Sequence, residues 1–495
     1  MTIGSNEAGG AALLASVKEA RLVRTASYID GAWAASSDVG VDIECPASNT
    51  VIAQVAKASA ADADKAIIAA KRAFPAWRAL LAKERGAILR RWADLMTAHK
   101  EDLSLIMTAE QGKPLEEARG EIDYAAGFLT WFAAEAERID GEVLAPHKPD
   151  RRMLVLREPI GVTAAVTPWN FPSAMITRKA GAALAAGCSM VVRPASETPL
   201  SALALAELAE EAGVPAGVFS VIVGDGRELG GALTDSPDVK AISFTGSTEV
   251  GRILIRQSAE TVKKVSMELG GHAPFIAFDD CDLDKTVADA VVAKFTTTGQ
   301  DCLAANRIFV QRSIYDAFCE KFAAAAKAMK VGPGWEDGVE QGPLMNKAAV
   351  EKCAAHVDDA VTKGGRLLAG GGADFGPNFF APTVIVDATP EMAIFREETF
   401  GPVAAIFPFD TEEEVVALAN DTHYGLASYL YTNDMRRIWR VGEALEYGMV
   451  GVNTPSFTGP PIPFGGHKQS GLGREGGHYS LEDYMETKYI CMDVA

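Results

Sequence analysis

The sequence predicts an α/β protein with a doubly wound domain, a second α/β domain and a small β-rich arm. Short apolar strands alternate with helices from about residue 151 onward, which is typical of a doubly wound parallel sheet. A second run of alternating strands and helices, from about 270 to about 448, indicates a second sheet. Two extended β-rich pieces, 139–158 and 484–494, suit pairing with each other or with another subunit.

The elements follow from the spacing of apolar residues. From Ala60 to His147 apolar side chains recur every three or four residues with charges between them, which predicts mostly helices. RRMLVLREPIGVTAAVTPW (151–169) is rich in apolar and β-branched residues and predicts strands. The small-residue segment ITRKAGAALAAG (176–187) predicts a helix, and CSMVVRPA (188–195) predicts a short buried strand.

The following helix and the second region are predicted in the same way. In TPLSALALAELAEEAG, Thr198 is the expected N-cap and Pro199 takes the first helical position. GVFSVIVG and VKAISFTG then predict strands, and STEVGRILIRQSAE predicts a helix. The second region contains predicted strands at APFIAFDD, RIFVQRS, APTVIVDA and VAAIFPFD, with helices at YDAFCEKFAAAAKAMK and EEEVVALAND.

Composition narrows the class of partner. The 495 residues are 48% hydrophobic and 23% charged, so the chain is long and apolar enough to bury a large core. A net charge of −19 argues against nucleic acid or an anionic membrane as a partner. An anionic substrate would therefore need its own local cations.

The cysteines and the apolar segments indicate the compartment. Seven cysteines without a C-x-x-C pair, and histidines without an H-x-x-x-H pair, fit a reducing cytosol and give no support for a metal site. The N-terminal patch AALLASV lacks the basic start and long apolar core of a signal peptide. Prolines interrupt the long uncharged stretch between Glu158 and Arg178. We therefore expect a soluble, cytoplasmic protein without a membrane helix.

Two glycine-containing segments are candidate dinucleotide sites. Gly471 to Gly476 matches G-x-G-x-x-G, but it follows a Pro/Gly-rich loop rather than a strand, which favours an ordinary flexible loop. In FTGSTEVGR a buried strand ends at Gly246-Ser247 and a helix begins. The backbone N–H groups and the Ser247 hydroxyl are suited to a pyrophosphate, although this segment taken alone slightly favours Ser247 as an ordinary N-cap.

Three residues have both a chemical and a structural interpretation. Cys302, in FTTTGQDCLAANR, is either a nucleophile or a small buried apolar residue. Its neighbour Asp301 would raise a thiol pKa, so activation must come from elsewhere. Glu268, in SMELGGHAP, is either a solvated turn residue or a general base. Asn170, in TPWNFP, is either a turn amide or a donor to an oxyanion.

Taken together, the motifs resemble a known family. PWNFP, FTGSTEVGR, ELGG, GQDC, EETFGPV and PFGGHKQSGLGRE occur in the order and rough spacing of the NAD(P)-dependent aldehyde dehydrogenases, from about 28 to 489. The segment from Ile176 to Ile222 is most similar to the succinate-semialdehyde dehydrogenase group. The resemblance implies the aldehyde dehydrogenase fold. The expected ranges are 1–140 and 159–269 for the NAD(P)-binding domain, 270–480 for the catalytic domain, and 141–158 and 481–495 for the oligomerisation arm.

The resemblance also implies roles for individual residues. It identifies Cys302 as the nucleophile, Glu268 as the base that hydrolyses the thioester, Asn170 as the oxyanion donor and Lys179 as a lysine near the active site. The expected cofactor-binding residues are Trp169, Arg193, Ser196, Gly246, Ser247, Glu398 and Phe400. The expected substrate-binding residues are Arg178, Phe171, Thr296 and Phe464.

Departures from the family pattern bear on the cofactor and the substrate. Arg193 and Ser196 stand where many relatives have Lys-Pro-x-Glu, and losing that glutamate predicts acceptance of NADP as well as NAD. Arg178 is retained for a substrate carboxylate, but Thr296 stands where a second arginine is usual. The resemblance further implies a succinate-like ω-semialdehyde as leading substrate, with a longer oxo-acid semialdehyde or an aromatic aldehyde as the alternative. Ala304 excludes a local disulfide with Cys302.

Readings from other classes are a thiol hydrolase and a non-catalytic relative. A thiol hydrolase would pair Cys302 with a histidine, and no histidine has a recognisable protease context. A non-catalytic relative would be expected to lack Cys302, Glu268 or Asn170, and all three are present. The family resemblance finally implies a homodimer or homotetramer acting on a small aldehyde, with no nucleic acid or membrane partner.

Overall fold

The computed structural model describes residues 9–34, 40–372 and 375–495. The residues outside these ranges fall within the predicted NAD(P)-binding and catalytic ranges, and those parts of the prediction lie outside the described residues. The helices are α1 (Gly9–Ala15), α2 (Ala60–Ala79), α3 (Ala82–Ala98), α4 (Lys100–Gln111), α5 (Leu115–Glu135), α6 (Ala174–Ala186), α7 (Pro199–Glu211), α8 (Gly226–Asp235), α9 (Thr248–Ala259), α10 (Leu283–Phe295), α11 (Tyr315–Ala328), α12 (Lys347–Thr362), α13 (Ala393–Arg396), α14 (Glu412–Asn420) and α15 (Met435–Ala444).

The strands belong to four sheets. They are β1 (Ser27–Ile29), β2 (Ala32–Ala34), β3 (Gly40–Cys45), β4 (Thr50–Ala56), β5 (Glu142–Leu144), β6 (Arg151–Pro159), β7 (Val162–Val166), β8 (Ser189–Arg193), β9 (Phe219–Val221), β10 (Val239–Thr245), β11 (Lys264–Glu268), β12 (Ala273–Ala277), β13 (Ala305–Gln311), β14 (Arg366–Ala369), β15 (Thr383–Val386), β16 (Val403–Phe409), β17 (Ala427–Tyr431), β18 (Met449–Val452), β19 (Gly471–Leu472) and β20 (Met485–Asp493).

The first large sheet has the order β19-β11-β10-β7-β8-β9-β1-β2. Its central strands, from β11 to β9, run parallel, and β19, β1 and β2 join the edges in antiparallel register. The central strands are almost entirely buried, as expected for a parallel sheet covered on both faces. The doubly wound α/β class predicted from the alternation is confirmed.

The second large sheet has the order β14-β15-β16-β13-β12-β17-β18. All its neighbouring strands are parallel except the edge pair β14 and β15. Because β13 begins at Ala305, the segment that carries Cys302 leads directly into the centre of this sheet. The same segment faces the carboxyl ends of strands in the first sheet, where open α/β sheets place their ligands.

The two extended segments that make up the predicted arm pair with each other. β20 runs antiparallel to β6 over nine residue pairs, from Met485 opposite Pro159 to Asp493 opposite Arg151. β5 adds a third strand on the other side of β6. The domain ranges deduced from the family resemblance remain predictions.

Helix α6 determines where the buried charges lie. All of its residues are buried, and most are alanine or glycine, so neighbouring elements pack closely against its backbone. At Gly181 a Cβ would come within 2.9 Å of the Phe132 ring on α5. Arg178 and Lys179 lie on this buried helix, so both cations need buried partners.

The N-terminus of α7 differs from the predicted cap. The helix begins at Pro199 as expected, but the Thr198 side chain makes no capping hydrogen bond. Instead, the Glu110 carboxylate on α4 accepts hydrogen bonds from the backbone N–H groups of Leu200 and Ser201, each at 2.7 Å. Thr198 therefore takes the predicted N-cap position, but a carboxylate distant in sequence satisfies the first N–H groups in place of its hydroxyl.

Several helices lie where no helix is predicted from the sequence, among them α10, α12 and α15 in the second region and α8, in GDGRELGG and the residues after it, in the first. The N-cap of α8, Asp225, accepts hydrogen bonds from the N–H groups of Arg227 and Glu228. Across the described ranges, no helix is both long and apolar enough to cross a bilayer.

Candidate active site

One cavity of about 580 Å³ brings most of the predicted site residues together. The residues along its wall that were predicted from the sequence are Trp169, Asn170, Phe171, Arg178, Gly246, Ser247, Thr296, Cys302, Glu398, Phe400 and Phe464. They come from helix α6 and from the segments that connect strands and helices of both large sheets. Four predicted residues do not line the cavity. These are Glu268, Lys179, Arg193 and Ser196.

Cys302 lies on a sharply folded loop between α10 and β13. Gly271 packs against the backbone of this loop, where a Cβ would overlap the Cys302 carbonyl. The Gly-Gly turn after Glu268 is therefore required for close packing against the cysteine. Burial, together with the Asp301 carboxylate, raises the pKa of the Cys302 thiol well above its usual range. The thiol is accordingly neutral until a ligand or a base changes its surroundings.

Asn170 ties the loop of the first sheet to the cysteine loop. Its side-chain Nδ2 donates a hydrogen bond to the carbonyl of Gln300 at 2.9 Å. Its own carbonyl accepts one from Lys113 Nζ at 2.8 Å. The amide carries a second N–H, and the residue lines the cavity beside Cys302, so a donor is available for a developing oxyanion.

Glu268 is the last residue of β11, behind the cavity wall. It is 2% exposed, and neither carboxylate oxygen has a hydrogen-bond partner among the described residues. Burial, and next the Glu475 carboxylate, raises the pKa of Glu268 well above its usual range. A carboxyl with a raised pKa and no hydrogen-bond partner among the described residues can act as a general base once it has lost its own proton.

Glu475 is a member of the site that the sequence analysis did not single out, although it ends the quoted motif PFGGHKQSGLGRE. It forms ion pairs with Lys179 and with Arg178, the latter at 2.5 Å between Oε2 and Nε. Ser243 Oγ also donates to it at 3.1 Å. Burial opposes the charge, but Lys179 and Arg178 hold the pKa of Glu475 below its usual range. The two buried cations of α6 thus share one carboxylate partner, Glu475.

Lys179 belongs to this buried group and not to the cavity wall. Its Nζ donates to Thr245 Oγ1 at 2.7 Å in addition to pairing with Glu475. Burial lowers its pKa. The residue therefore connects α6, β10 and the C-terminal loop immediately behind the site.

One end of the cavity carries aromatic and acidic residues suited to a dinucleotide. The rings of Trp169 and Phe400 meet edge to face at 5.6 Å between centroids. Glu398 Oε1 accepts the Gly271 N–H at 2.9 Å, and burial raises the pKa of Glu398 to about 7. Lys352 Nζ donates to the Glu398 carbonyl at 2.6 Å, which fixes the segment from α12.

Both interpretations of FTGSTEVGR apply to the same residues. Ser247 is the N-cap of α9, and its Oγ accepts the Val250 N–H at 3.3 Å. Gly246 and Ser247 also line the cavity, so the N-terminus of a twelve-residue helix opens onto it. This arrangement favours a negatively charged group at that position.

Arg193 and Ser196 interact with each other outside the cavity wall. Arg193 Nη2 donates to Ser196 Oγ at 2.8 Å and to the Gly224 carbonyl at 2.9 Å. Burial lowers the pKa of Arg193. Two hydrogen bonds within the protein thus already use Nη2 of the guanidinium that was predicted to face a phosphate. Its Nε has no partner among the described residues.

Another part of the lining combines the Arg178 guanidinium with hydroxyl groups, and the second lining cation, Lys113, is paired with Glu121. The Arg178 guanidinium lies 4.2 Å over the Phe464 ring. Thr296 is exposed there, and its Oγ1 donates to the Val292 carbonyl at 2.8 Å. Tyr124, Ser456 and Thr458 also line this cavity and were not singled out from the sequence as site residues. Their positions in a helix and a Pro-rich loop carry no local signal of such a role.

Among the described residues, no histidine lines the cavity. The same residues include no cluster of three or more histidine, cysteine or carboxylate side chains that could hold a metal ion.

Comparison with known proteins gives a consistent result. Residues 33–490 match the aldehyde dehydrogenase family. A glutarate-semialdehyde dehydrogenase from Pseudomonas putida is 56% identical over 97% of this chain and 100% of the relative. A succinate-semialdehyde dehydrogenase (NADP(+)) from Escherichia coli is 53% identical over 96% of this chain and 99% of the relative. The crystal structure of a succinate-semialdehyde dehydrogenase from Burkholderia pseudomallei is similar with a TM-score of 0.96 at 54% identity, covering 97% and 100% of the two chains.

Proposed function

Because the chain belongs to the aldehyde dehydrogenase family, we propose that it oxidises a short ω-semialdehyde of the succinate or glutarate type to the dicarboxylic acid. Membership of this family makes it an NAD(P)-dependent oxidoreductase. The observation that carries the substrate proposal is that one cavity is lined by Cys302, by residues suited to a dinucleotide and by Arg178. Similarity to dehydrogenases named for glutarate and succinate semialdehyde supports the same class.

The residues present fit a nicotinamide dinucleotide. Gly246 and Ser247, at the N-terminus of α9, would hold a phosphate, and Glu398 would accept a hydrogen bond from a ribose hydroxyl. Trp169 and Phe400 would pack beside it. When bound, the oxidised dinucleotide supplies a hydride acceptor with a positively charged ring. Arg193 and Ser196 lack the carboxylate that would repel a 2′-phosphate, which supports use of NADP as well as NAD.

The protein residues would divide the chemistry into two stages. The Cys302 thiolate adds to the aldehyde carbon, and the resulting oxyanion accepts hydrogen bonds from the Asn170 amide and the Cys302 backbone N–H. The C–H hydrogen of the adduct then leaves with its electron pair as hydride, for which a bound oxidised dinucleotide would supply the acceptor, and the oxyanion collapses to a thioester on Cys302. Glu268 then takes a proton from water as the water oxygen attacks the thioester carbon, and the C–S bond breaks to release the carboxylic acid and the Cys302 thiolate.

For this second stage Glu268 must reach the cavity. Its unpartnered oxygens support such a movement, since no hydrogen bond to a described residue holds the carboxylate in place. Lys179 would act from behind the wall by holding Glu475, whose charge raises the pKa of Glu268.

The residues around Arg178 support an anionic tail held by a shared cation. Arg178 lines the cavity, and Glu475 already balances part of its charge. Lys113, the other lining cation, is paired with Glu121. Tyr124 and Thr458 would add hydroxyl contacts, while Phe171 and Phe464 would enclose the methylene chain. The small, uncharged Thr296 leaves room at the wall, which favours the longer glutarate type within this class.

A thiol hydrolase is the less favoured candidate. It requires a histidine or comparable base beside Cys302, and no histidine lines the described part of the cavity.

The seven cysteines are all unpaired in the structure, which supports placing the enzyme in the reducing cytoplasm.

The direct test is a set of kcat/KM values for matched aldehydes with each cofactor. Glutarate semialdehyde is compared with pentanal, and succinate semialdehyde with butanal. We expect each semialdehyde to exceed its neutral partner by about tenfold or more, the effect of one charge-assisted contact, with activity on NADP and on NAD. Equal values for the charged and neutral partners would contradict the semialdehyde proposal, and thiol-dependent ester hydrolysis without any dehydrogenase activity would favour the hydrolase.

A further inference from the structure

The three residues Thr297, Thr298 and Gly299 precede Gln300 and the reactive loop in an unusual conformation. Their φ angles are 52°, 58° and 68°, so all three lie in the left-handed region. Glycine adopts this region freely, but a β-branched threonine clashes with its own backbone there. Two consecutive threonines in this region need external contacts to keep them there.

Several contacts hold the segment. Thr298 Oγ1 donates to the Gly342 carbonyl at 3.1 Å, and the Gln300 N–H donates to the Thr297 carbonyl at 3.0 Å. Gln300 Oε1 accepts the Met345 N–H at 2.8 Å. The contacts with Gly342 and Met345 hold the segment against the second α/β region. None of these contacts involves the backbone N–H of Thr297, the first left-handed residue.

That N–H is held from the other side of the cavity by Glu117. Both carboxylate oxygens of Glu117, on α5, lie 3.1 Å from the Thr297 nitrogen and accept its N–H. Glu117 lines the cavity together with Thr297 and Cys302. It therefore links α5 directly to the segment that sets the direction of the cysteine loop.

The neighbouring glutamate on the same helix shows how specific this placement is. The Glu116 side chain is 87% exposed and pairs with Arg119 on the surface. Glu117 instead turns inward. There it interacts with the positive charge of Lys113 and the negative charge of Asp301, and burial raises the pKa of Glu117. The two adjacent carboxylates thus provide a test residue and a matched control.

We propose that Glu117 is a positioning residue that holds Thr297 in the left-handed conformation and thereby places Cys302 in its reactive position. Glu117 acts through the loop and does not itself touch the reacting atoms. The proposal concerns the same site as the proposed function and rests on Cys302 being its nucleophile. It specifies which contact makes that nucleophile competent.

The test uses a readout that needs no substrate. The rate of Cys302 alkylation by iodoacetamide is followed by mass spectrometry of the Cys302 peptide, beside kcat/KM and the thermal unfolding midpoint. Glu117→Ala and Glu117→Asp are expected to lose about tenfold or more in both rates, because neither reaches the Thr297 N–H. Glu117→Gln keeps an acceptor at the same reach and should stay within about threefold of the unmodified enzyme. Glu116→Ala should change neither rate.

A second substitution separates positioning from a general loss of structure. Thr297→Gly removes the penalty of the left-handed conformation. In the Glu117→Ala background it should restore much of the lost alkylation rate if Glu117 acts by holding that conformation. Rescue would occur without any change in the charge near Cys302.

Three results would overturn the proposal. One is an alkylation rate for Glu117→Ala within twofold of the unmodified enzyme. Another is the reverse order of the conservative variants, with aspartate active and glutamine impaired, which would indicate an effect of charge. The third is a loss that Thr297→Gly does not reverse. Because alkylation needs no aldehyde, failure of the substrate proposal would leave this test intact.

Discussion

Cys302 and Glu268 both lie in surroundings that favour their neutral forms. Burial is the main cause for each, with Asp301 beside the thiol and Glu475 beside the carboxyl. A neutral thiol is a weaker nucleophile than a thiolate, and a carboxyl with a raised pKa is a stronger base once it loses its proton.

The raised pKa of Glu268 predicts how hydrolysis depends on pH. Only the deprotonated carboxylate can accept a proton from water, so a raised pKa moves the active range to higher pH. We expect thioester hydrolysis to accelerate as pH rises above the usual glutamate range near 4.3. Single-turnover deacylation measured across pH checks this. A rate independent of pH, or a Glu268→Gln variant with the same profile, would contradict it.

Thr296 predicts how the substrate range can be shifted. Thr296→Arg would add a cation at the exposed wall of the cavity, and we expect KM for glutarate or succinate semialdehyde to fall by about tenfold with little change for a neutral aldehyde. Steady-state kinetics measures both. Thr296→Met, long but uncharged, is the matched control. Equal gains for charged and neutral aldehydes would show that the tail does not face this residue.

The residues that the sequence identified were those in short motifs. Cys302, Asn170 and Glu398 each lie in a distinctive local context, and the structure brings them to one cavity. Glu475 and Glu117 were missed because their roles depend on contacts between distant segments, such as the 296 residues that separate Lys179 from Glu475. No local pattern encodes such a pairing.

At the scale of elements, the connection from α9 to β11 contains an unfavourable residue. Val262 has φ of 53° and is 90% exposed. A β-branched side chain at positive φ costs roughly 1–2 kcal/mol, and exposure means that no packing offsets this. The structure gives no reason for valine at this position.

Val262→Asn should therefore stabilise the protein. Asparagine tolerates the left-handed region, and we expect the free energy of unfolding to rise by roughly 0.5–1 kcal/mol. Differential scanning calorimetry would show a higher unfolding midpoint with unchanged activity. Val361→Asn, at an exposed position on the regular helix α12, should give no such gain. A lower midpoint for Val262→Asn would indicate that the valine makes a contact outside the described chain.

The elements themselves followed closely from periodicity, and the exceptions have physical causes. The buried strands and α6 were evident as apolar or small-residue runs. Helix α8 was missed because its glycines weaken the helical pattern. Thr198 was correctly placed as the N-cap of α7, but the hydrogen bonds from Glu110 could not be predicted because Glu110 lies on another helix. Local sequence predicts which segment is helical better than it predicts what completes the ends.

At the scale of the molecule, the three-stranded arm exposes apolar side chains. They are Val143, Leu144, Leu156, Tyr489, Ile490 and Met492. Exposed apolar groups concentrated on one small sheet are typical of a surface covered by another chain. This supports the expected homodimer or homotetramer, which the sequence suggested only through its family resemblance.

Charges on this sheet should weaken the assembly. We expect Val143→Asp combined with Ile490→Asp to shift the mass measured by light scattering toward the monomer, because association would bury unpaired carboxylates. Ile68→Asp, at an exposed apolar position on α2, is the control and should leave the mass unchanged. An unaltered mass for the double variant would exclude the arm as the interface.

The central claim is that Cys302 carries the acyl group and Glu268 releases it. Rapid mixing of Glu268→Gln with glutarate semialdehyde and NADP+ tests it directly. The account predicts about one equivalent of reduced cofactor per active site and then a halt, with the acyl group found by mass spectrometry on the Cys302 peptide. Continued turnover at the unmodified rate, or reduced cofactor without acylation of Cys302, would contradict it.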